Sequence, residues 1–436
     1  MRRDGDPGER RRCPLLMPHL AFLFGLLAGT GVADAQAPAP ATNLTLAAAV
    51  DLTVSGNAQL RSLRARWEAM QERPAQAGAL PNPMFSYGGM DMVDGGNWPD
   101  TNEKRFMVQQ EFPWLGKRAL REGIAAKDAE VMQRELEAMT REVAMMAKES
   151  YYDLYAVQRV IAITREEEAV VRRIVKVAET LYATGDRAQT DVLKAQAEIT
   201  MLKQKILEAQ AREATLKAKL NTLLNRRADE PLGPAVTPPE VGFGANDDAL
   251  FALAATNRPE VRAAQAQIER YELERKLMAK DSVPDCKLGL EYRDIGSGGD
   301  MVMFTVSVDL PVWRSKYRAG VREAEKMRTA SEAAREAAER RSALDVQEGS
   351  IQLQTARRTL ELYRAELIPQ AAARFDASEA GYRTGKVSFM DLLESERFLL
   401  SAKVMAAMAE GAVGMQAARL ERAAGAPWPA AEGEGK

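Results

Sequence analysis

The chain has 436 residues, with 60 Lys and Arg against 62 Asp and Glu, and this near balance excludes the basic excess typical of nucleic-acid-binding proteins. Its only histidine, His19, and one of its two cysteines, Cys13, lie in the first 35 residues, so the rest of the chain has one thiol, Cys286, and no imidazole. Catalytic triads, histidine-based metal centres and intrachain disulfides are thereby excluded beyond residue 35, and we expect a protein that is not an enzyme and holds no cofactor or resident metal.

Residues 1–35 have the layout of a secretory signal peptide. Arginines at positions 2, 3 and 10–12 precede an apolar run at 15–27, and Ala33-Asp34-Ala35 fits a small-residue cleavage site. The apolar run is shorter than the roughly 20 residues that a membrane-spanning helix needs, which disfavours an anchor. We expect an exported protein whose next segment, 36–43, is rich in Pro and Ala.

The remaining chain is a duplication with an offset of about 200 residues. Tyr-Ala-Thr-Gly at 182–185 recurs as Tyr-Arg-Thr-Gly at 382–385, and Thr-Asp-Val-Leu at 190–193 recurs as Met-Asp-Leu-Leu at 390–393. Three further pairs of short segments match between the two halves of the chain, in the same order along each half. These matches predict a first structural repeat at residues 44–228 and a second at 248–425. A linker at 229–247 joins them, and a tail at 426–436 follows the second repeat.

Each repeat is predicted to begin with helical sequence, followed by two short strands. In the first repeat a helical stretch at 44–78 ends before Pro81 and Pro83, and strands are predicted at 84–93 and 104–112. In the second repeat the strands are predicted at 287–295 and 301–310. The last of these alternates cleanly, with Val302, Phe304 and Val306 on one face and polar residues or Met on the other, as expected for a strand with one apolar face.

A long helical hairpin follows each strand pair, at 114–227 and 314–424. The stretch 114–183 contains no proline and would span about 100 Å as a helix, far more than an ordinary globular helix. Apolar residues recur every three or four positions, for example at Val143 and Met146 before the first reversal and at Leu202, Ile206, Leu216 and Leu220 after it, which predicts a buried coiled-coil seam. Glu213 is the one polar residue in the second series. Gly185 and Gly385 stand where each hairpin must reverse.

Four strands with an apolar face cannot remain an open sheet in lipid, because the sheet edges would carry unpaired backbone groups. A closed barrel usually takes at least about eight strands. We therefore expect an oligomer whose subunits contribute their strands to one shared barrel, mounted on a tube of helices.

At this point the chain resembles the TolC-type outer-membrane efflux channels, with the heavy-metal efflux subgroup as a candidate for closer kinship. Gln-Glu-Phe-Pro-Trp-Leu-Gly-Lys at 110–117 resembles the strand-to-helix junction of that family, and Asn-Arg-Pro-Glu at 257–260 its equatorial helix start. Leu-Ile-Pro-Gln at 367–370 resembles a proline interruption in its second long helix, and 182–193 and 382–393 resemble its periplasmic hairpin tips. The resemblance covers about residues 44 to 425.

This resemblance implies a mainly α fold with a small β part, forming a homotrimer with a 12-stranded barrel in the outer membrane of a Gram-negative bacterium and a helical barrel in the periplasm. It also implies a passive exit duct. The hairpin tips would dock on a periplasmic adaptor, or membrane fusion protein, which links the duct to an inner-membrane pump, expected to be of the resistance-nodulation-division type. The cargo stays open between small molecules, metal ions and polypeptides.

Three acidic residues match the family's periplasmic gate: Asp391, Glu394 and Asp191. In a trimer, Asp391 and Glu394 would place six carboxylates around a narrow mouth and favour cations. The first repeat has Lys194 where the second has Glu394, so only the second repeat keeps the acidic pair. The alternative is that these acids are solvated side chains in the first turn of a helix, where they suit the helix dipole.

The reversal points of the two hairpins are the predicted docking residues for the adaptor. They are Thr184, Gly185 and Asp186 in the first repeat and Thr384, Gly385 and Lys386 in the second. A role in turning the chain is compatible with a docking role.

Three methionines, Met84, Met107 and Met303, are predicted on the polar, lumen-facing side of the strands, and Met90 and Met92 are further candidates for that side. Thioethers suit Cu(I) and Ag(I), which makes the first three candidate contacts for a soft metal ion. The favoured alternative is ordinary gap-filling by a flexible side chain.

Two other classes of protein agree less well with these patterns than the channel does. A periplasmic coiled-coil adaptor or scaffold without a barrel would leave the apolar face of 302–310 without a partner. A carboxylate enzyme such as a glycosidase would need a globular cleft, which the long heptad helices disfavour.

Overall fold

The computed structural model describes residues 43–90, 103–239 and 247–426. The expected signal peptide, the Pro/Ala-rich segment up to residue 42, the first hairpin loop with Met92, part of the linker and the tail from residue 427 lie outside the described residues. The fold is mainly α with a small β part, which confirms the expected fold class.

The stretch predicted as helical at 44–78 is divided into α1 (Leu46–Gly56), α2 (Ala58–Gln71) and α3 (Arg73–Gly78). Asn57 causes the first break. Its backbone is extended, and its Oδ1 accepts hydrogen bonds from the N–H groups of Gln59 (2.9 Å) and Leu60 (3.2 Å), so it caps the start of α2. All three helices pack along the first long helix.

The four strands form one antiparallel sheet in the order β1-β2-β3-β4. Strand β1 is Met84–Met90, β2 is Glu103–Phe112, β3 is Cys286–Asp294 and β4 is Asp300–Val308. The register places Val108 opposite Phe85 on one side and Leu290 on the other, and Leu290 opposite Phe304. Strand β4 ends two residues earlier than predicted, where Asp309 donates instead to the Asp285 carbonyl (3.3 Å) ahead of Pro311.

The sheet has one apolar face and one polar face. The apolar face is exposed in the described part of the chain: Phe304 retains 67% of its surface and even the centrally placed Leu290 retains 55%. Side chains of this face are Phe85, Tyr87, Phe106, Val108, Leu290, Tyr292, Val302, Phe304 and Val306. The alternation that predicts a strand with one apolar face is therefore seen on all four strands.

The helical part is built on two long hairpins. In the first, α4 (Lys117–Ala183) has 67 residues, about 100 Å at 1.5 Å per residue, and α5 (Gln189–Leu223) returns along it. Shorter helices α6 (Asp247–Asn257) and α7 (Pro259–Lys280) lead to β3. In the second hairpin, α8 (Arg314–Leu362) continues through a π-helical turn at Tyr363–Leu367 into α9 (Ile368–Arg383), and α10 (Phe389–Ala424) returns.

The π-helical turn has a local cause. Pro369 has no N–H, so the carbonyl four residues earlier loses its ordinary helical donor. The helix widens just before this point, and the Ile368 N–H donates to the Tyr363 carbonyl five residues back. The interruption expected at 367–370 thus takes the form of a widened turn without a break in the helix.

The coiled-coil seam is buried on α5 and only partly covered on α4. On α5, Leu202, Ile206, Leu216 and Leu220 are all buried, as their spacing predicts. On α4, the predicted seam residue Val143 is buried, whereas Met146 is 38% exposed. The polar seam residue on α5, Glu213, is accommodated because it accepts a hydrogen bond from Gln158 on α4 (3.0 Å).

Helix α10 is long and apolar enough to cross a membrane, judged by length and composition alone. Its small residues serve helix packing instead. A Cβ at Gly414 would lie 2.2 Å from ring atoms of Tyr152 on α4, and one at Gly411 would lie 2.7 Å from the Ala156 Cβ. These glycines let α10 approach α4 closely, so the face of α10 that contains them belongs to the helical core.

Candidate functional site

The two hairpin reversals, which we call the first tip (residues 182–188) and the second tip (residues 382–388), have the same backbone turn. Gly185 and Gly385 adopt left-handed conformations, with φ of 82° and 81°. In each tip the N–H after the glycine donates to the carbonyl five residues earlier, at 2.9 Å in the first tip and 2.8 Å in the second. This hydrogen-bonded turn is the one that glycine favours at the C-terminal ends of helices.

The six predicted docking residues are all exposed at these tips. Thr184 donates its hydroxyl to the Asp186 carboxylate (2.6 Å), which holds the acidic side chain against the turn. Thr384 donates to the Gly381 carbonyl (3.1 Å) and leaves the Lys386 ammonium exposed. One tip therefore presents an acid and the other a base at equivalent positions.

A residue that sequence reasoning missed, Arg187, joins the two tips. Its Nη2 donates to the Tyr382 carbonyl (3.0 Å), and its guanidinium carbon lies 4.9 Å from the centroid of the Tyr382 ring. Tyr382 is 1% exposed and packs edge-on against Phe389 at 5.4 Å. One sequence feature distinguishes this position, since the second repeat has Val387 where the first has Arg187.

The predicted gate residues fall into two environments. Asp391 is exposed in the first turn of α10, where its carboxylate accepts from the Ser388 hydroxyl (2.7 Å) and its N–H donates back to that oxygen (3.2 Å). Glu394 lies one turn later and is also exposed, so the two acids share one outward face. Asp191, in contrast, is half-buried and lies near Tyr382. The burial of Tyr382, together with the negative charge of Asp191, raises the pKa of the Tyr382 phenol.

A second group missed from the sequence lies about two turns above the second tip. Glu167 on α4, Glu198 on α5 and Glu396 on α10 are 2%, 1% and 0% exposed, and we call them the buried carboxylate triad. Glu167 pairs with Lys403 and Glu198 pairs with Arg397, both on α10. Burial, reinforced by the charges of Glu167 and Glu198, raises the pKa of Glu396 to about 7.

The three candidate methionines lie on the polar face of the sheet, as their parity predicts. Met84 is opposite Gln109, and Met107 is opposite Glu291, which is opposite Met303 on the next strand. Met90 is in β1, and Met92 lies outside the described residues. Within residues 43–90, 103–239 and 247–426, no group of three or more His, Cys, Asp or Glu side chains is placed to hold a metal ion.

The family model described as outer membrane efflux protein matches the chain twice, at residues 49–226 and 250–426. Among curated proteins, the cobalt-zinc-cadmium resistance protein CzcC of Cupriavidus metallidurans is 22% identical over 373 residues, covering 83% of this chain and 85% of CzcC.

Solved structures show the same fold at low sequence identity. The outer membrane protein VceC of Vibrio cholerae superposes with a TM-score of 0.73 at 16% identity, covering 88% of this chain and 96% of VceC. The open state of the MtrE outer membrane channel of Neisseria gonorrhoeae gives a TM-score of 0.73 at 18% identity, covering 88% and 89% of the two chains.

Proposed function

The chain belongs to the outer membrane efflux protein family, a family of channels rather than enzymes, and from this premise we propose that three copies assemble into one exit duct for metal ions. The resemblance to TolC-type channels expected from the sequence is thereby confirmed. The protein is an outer-membrane efflux channel of a Gram-negative bacterium with a large periplasmic part. Channels of this kind work passively, in tripartite systems with a periplasmic adaptor and an inner-membrane pump.

The observation that best supports this assembly is the exposed apolar face of the four-stranded sheet. Exposing such a face to water is unfavourable, whereas lipid would cover it. Strands β1 and β4 form the two edges of this sheet. In lipid each edge needs a partner strand, and β4 of one copy can pair with β1 of the next. Three copies would close a barrel of 12 strands, within the range known for such barrels.

Membrane fractionation and native mass spectrometry test this assembly. We expect the full-length protein in the outer-membrane fraction, as a trimer whose migration on a gel changes on heating. A soluble monomer in detergent-free buffer would contradict the duct and favour a periplasmic scaffold, the alternative that leaves the apolar sheet face uncovered.

For the periplasmic mouth we propose that Asp391 and Glu394 are the cation-selecting gate residues, since both are exposed on one face beside the second tip. Asp191 would act differently, by holding the Tyr382 region closed. In planar lipid bilayers, D391N combined with E394Q should lower the cation-to-anion permeability ratio, because six carboxylates leave the mouth. D191N should leave that ratio closer to the wild-type value and raise the open fraction. Equal loss of selectivity in both variants would contradict this division.

For docking we propose that the adaptor contacts the exposed tip residues Thr184, Gly185 and Asp186 together with Thr384, Gly385 and Lys386. Reversing the two tip charges with D186R and K386E should abolish export in a deletion strain while the amount of outer-membrane trimer stays unchanged. The matched control K203E reverses an exposed charge on α5, away from the tips. Loss of export in K203E as well, or full export in the double variant, would contradict docking at the tips.

The proposed cargo is divalent metal ions, based on the similarity to CzcC and on the acidic mouth, which favours cations. A strain lacking the protein should become sensitive to cobalt, zinc or cadmium salts and not to large organic drugs. The opposite pattern would contradict a metal cargo.

As a separate proposal, the thioethers of Met84, Met107 and Met303 contact a soft monovalent ion, Cu(I) or Ag(I), in the lumen. Replacing all three with Leu tests it, since Leu keeps the volume and removes the sulfur. Unchanged metal resistance would assign these methionines to packing.

A further inference from the structure

Glu396 is a fully buried acid whose two carboxylate oxygens have no hydrogen-bond partner among the described residues. It lies in α10, seven residues after the start of the helix and therefore about 10 Å from the second tip. Buried apolar neighbours Leu393, Leu399 and Leu400 surround its position on the helix. Because the burial occurs within one chain, assembly with other copies is not needed to remove this carboxyl group from water.

The charges facing Glu396 come from three helices. Glu167 on α4 and Glu198 on α5 are the nearby acids, and both are already paired with bases on α10. Lys205 on α5 and Arg397 on α10 are the bases that act on Glu396. The triad thus has three carboxyl groups and two close ion pairs, so one carboxyl group is left without a close cation.

Both ion pairs of the triad connect the two hairpins, since Lys403 and Arg397 belong to the second hairpin and their partners to the first. Glu396 lies in the same contact. Any movement that separates α10 from α4 and α5 would admit water to all three carboxyl groups at once.

We propose that the contact between the two hairpins is linked to proton binding: Glu396 is protonated while α10 packs on α4 and α5, and it ionises when the hairpins separate. This inference rests on the proposed role of the tips as the periplasmic mouth. The group lies in the helical part, outside the strands that would enter lipid.

The physical reason is the free energy of an unpaired buried charge. An ionised carboxylate without a partner is strongly disfavoured in a dry interior, whereas the neutral acid is tolerated. In the packed state the pKa of Glu396 is raised from its usual value of 4.5 to about 7. Separation of the hairpins would hydrate the carboxyl group and return its pKa to the usual value.

The sign of the pH dependence follows from this difference. Between about pH 7 and pH 4.5, each unit of falling pH favours the packed state about tenfold, and the effect levels off outside that window. Raising the pH towards 7 therefore loosens the hairpin contact.

Infrared difference spectroscopy of the purified full-length channel in detergent tests the protonation directly. We expect a protonated-carboxyl band that fades with a midpoint near pH 7. The band should disappear in E396Q and persist in E208Q, a control in which an exposed glutamate of α5 is neutralised. A wild-type protein without this titrating band would overturn the proposal, as would an E396Q protein that retains it. The wild-type titration decides the matter even if E396Q folds poorly.

The second measurement is the ratio of open to closed channels in planar lipid bilayers between about pH 5 and pH 8. In the wild type this ratio should rise about tenfold per pH unit for each subunit that must open, up to about pH 7, and then level off. E396Q should lose this slope, and E208Q should keep it. A slope that persists in E396Q contradicts the proton link. A channel that is silent at every pH contradicts the exit duct, and the infrared titration still decides the proton link.

Discussion

The first and second tips share a sequence motif and a backbone turn, and yet their tyrosines have opposite environments. Tyr182 is 47% exposed, whereas Tyr382 is 1% exposed beneath the Arg187 side chain. The glycine that ends each Tyr-x-Thr-Gly motif has nearly the same φ in the two tips. The local motif thus determines the turn, and the side chains packed around it, from both hairpins, determine which tyrosine is buried.

The asymmetry extends beyond the tyrosines. The second hairpin contributes Phe375, Phe389, Leu392 and Leu393 to the core cluster beside Tyr382. The first hairpin has Gln189 where the second has Phe389. The second tip therefore contributes the larger side chains to this cluster, and Arg187 is the residue of the first tip that contacts Tyr382 directly.

Replacing each tyrosine by alanine should give the largest contrast between the tips. Y382A removes a buried ring and should lower the free energy of unfolding of the helical part by about 3 kcal/mol, in the range typical of buried aromatic residues. Y182A removes an exposed ring and should lower it by less than about 0.5 kcal/mol. Urea unfolding followed by circular dichroism measures both, and equal losses would show that the tips are equivalent in the assembled protein.

The glycines should respond equally, because their requirement is local. G185A and G385A each force a side chain into the left-handed conformation, and each should cost about 1 to 2 kcal/mol in the same unfolding measurement. A Cβ at Gly385 would still lie 3.7 Å from Arg187, and one at Gly185 meets no atom of the described chain within 4 Å, so crowding does not separate them. A clear difference between the two variants would mean that neighbours constrain one turn.

Most of the fold could be predicted from the sequence because its signals are local or periodic. The alternation of Val302, Phe304 and Val306 predicts a strand face that the structure shows, and Gly185 and Gly385 end their helices as expected. The break at Asn57 differs from the predicted continuous stretch, although the sequence carries a signal for it, because Gly56 disfavours a helix interior and Asn57 is a preferred N-cap residue. Met146 was expected in a buried seam and is exposed in the single chain, since heptad spacing does not say which surface covers it.

The site could be predicted less completely, because its contacts join distant residues. The exposed tip residues and the shared face of Asp391 and Glu394 follow from position on a helix. The contact of Arg187 with Tyr382 spans 195 residues, and the triad of Glu167, Glu198 and Glu396 comes from three helices. The spacing of residues within one helix gives no information about tertiary contacts between distant segments of the chain.

Removing the arginine that joins the tips should have a smaller effect than removing Tyr382. R187A loses the guanidinium contact with the ring and the hydrogen bond to the carbonyl, which together should contribute about 1 kcal/mol. R187K keeps the charge and loses the planar group, so it should recover only part of this stability. The matched control K386A removes an exposed charge of the second tip and should change the free energy of unfolding by less than about 0.5 kcal/mol. An R187A effect no larger than that of K386A would mean that the two tips are held together by other residues.

The smallest effect should come from giving the first returning helix the serine cap that the second one has. Ser388 caps α10, since its hydroxyl accepts from the Asp391 N–H, whereas Ala188 at the start of α5 has no side chain that could do so. S388A should therefore destabilise the second hairpin by about 1 kcal/mol, and A188S should stabilise the first by about 0.5 kcal/mol. Because the backbone is extended at both positions, the new serine can adopt the capping geometry without strain. If A188S instead proved neutral while S388A destabilised, the first helix start would be anchored by contacts of the assembled channel, and the two tips would differ in their caps as well as in their tyrosines.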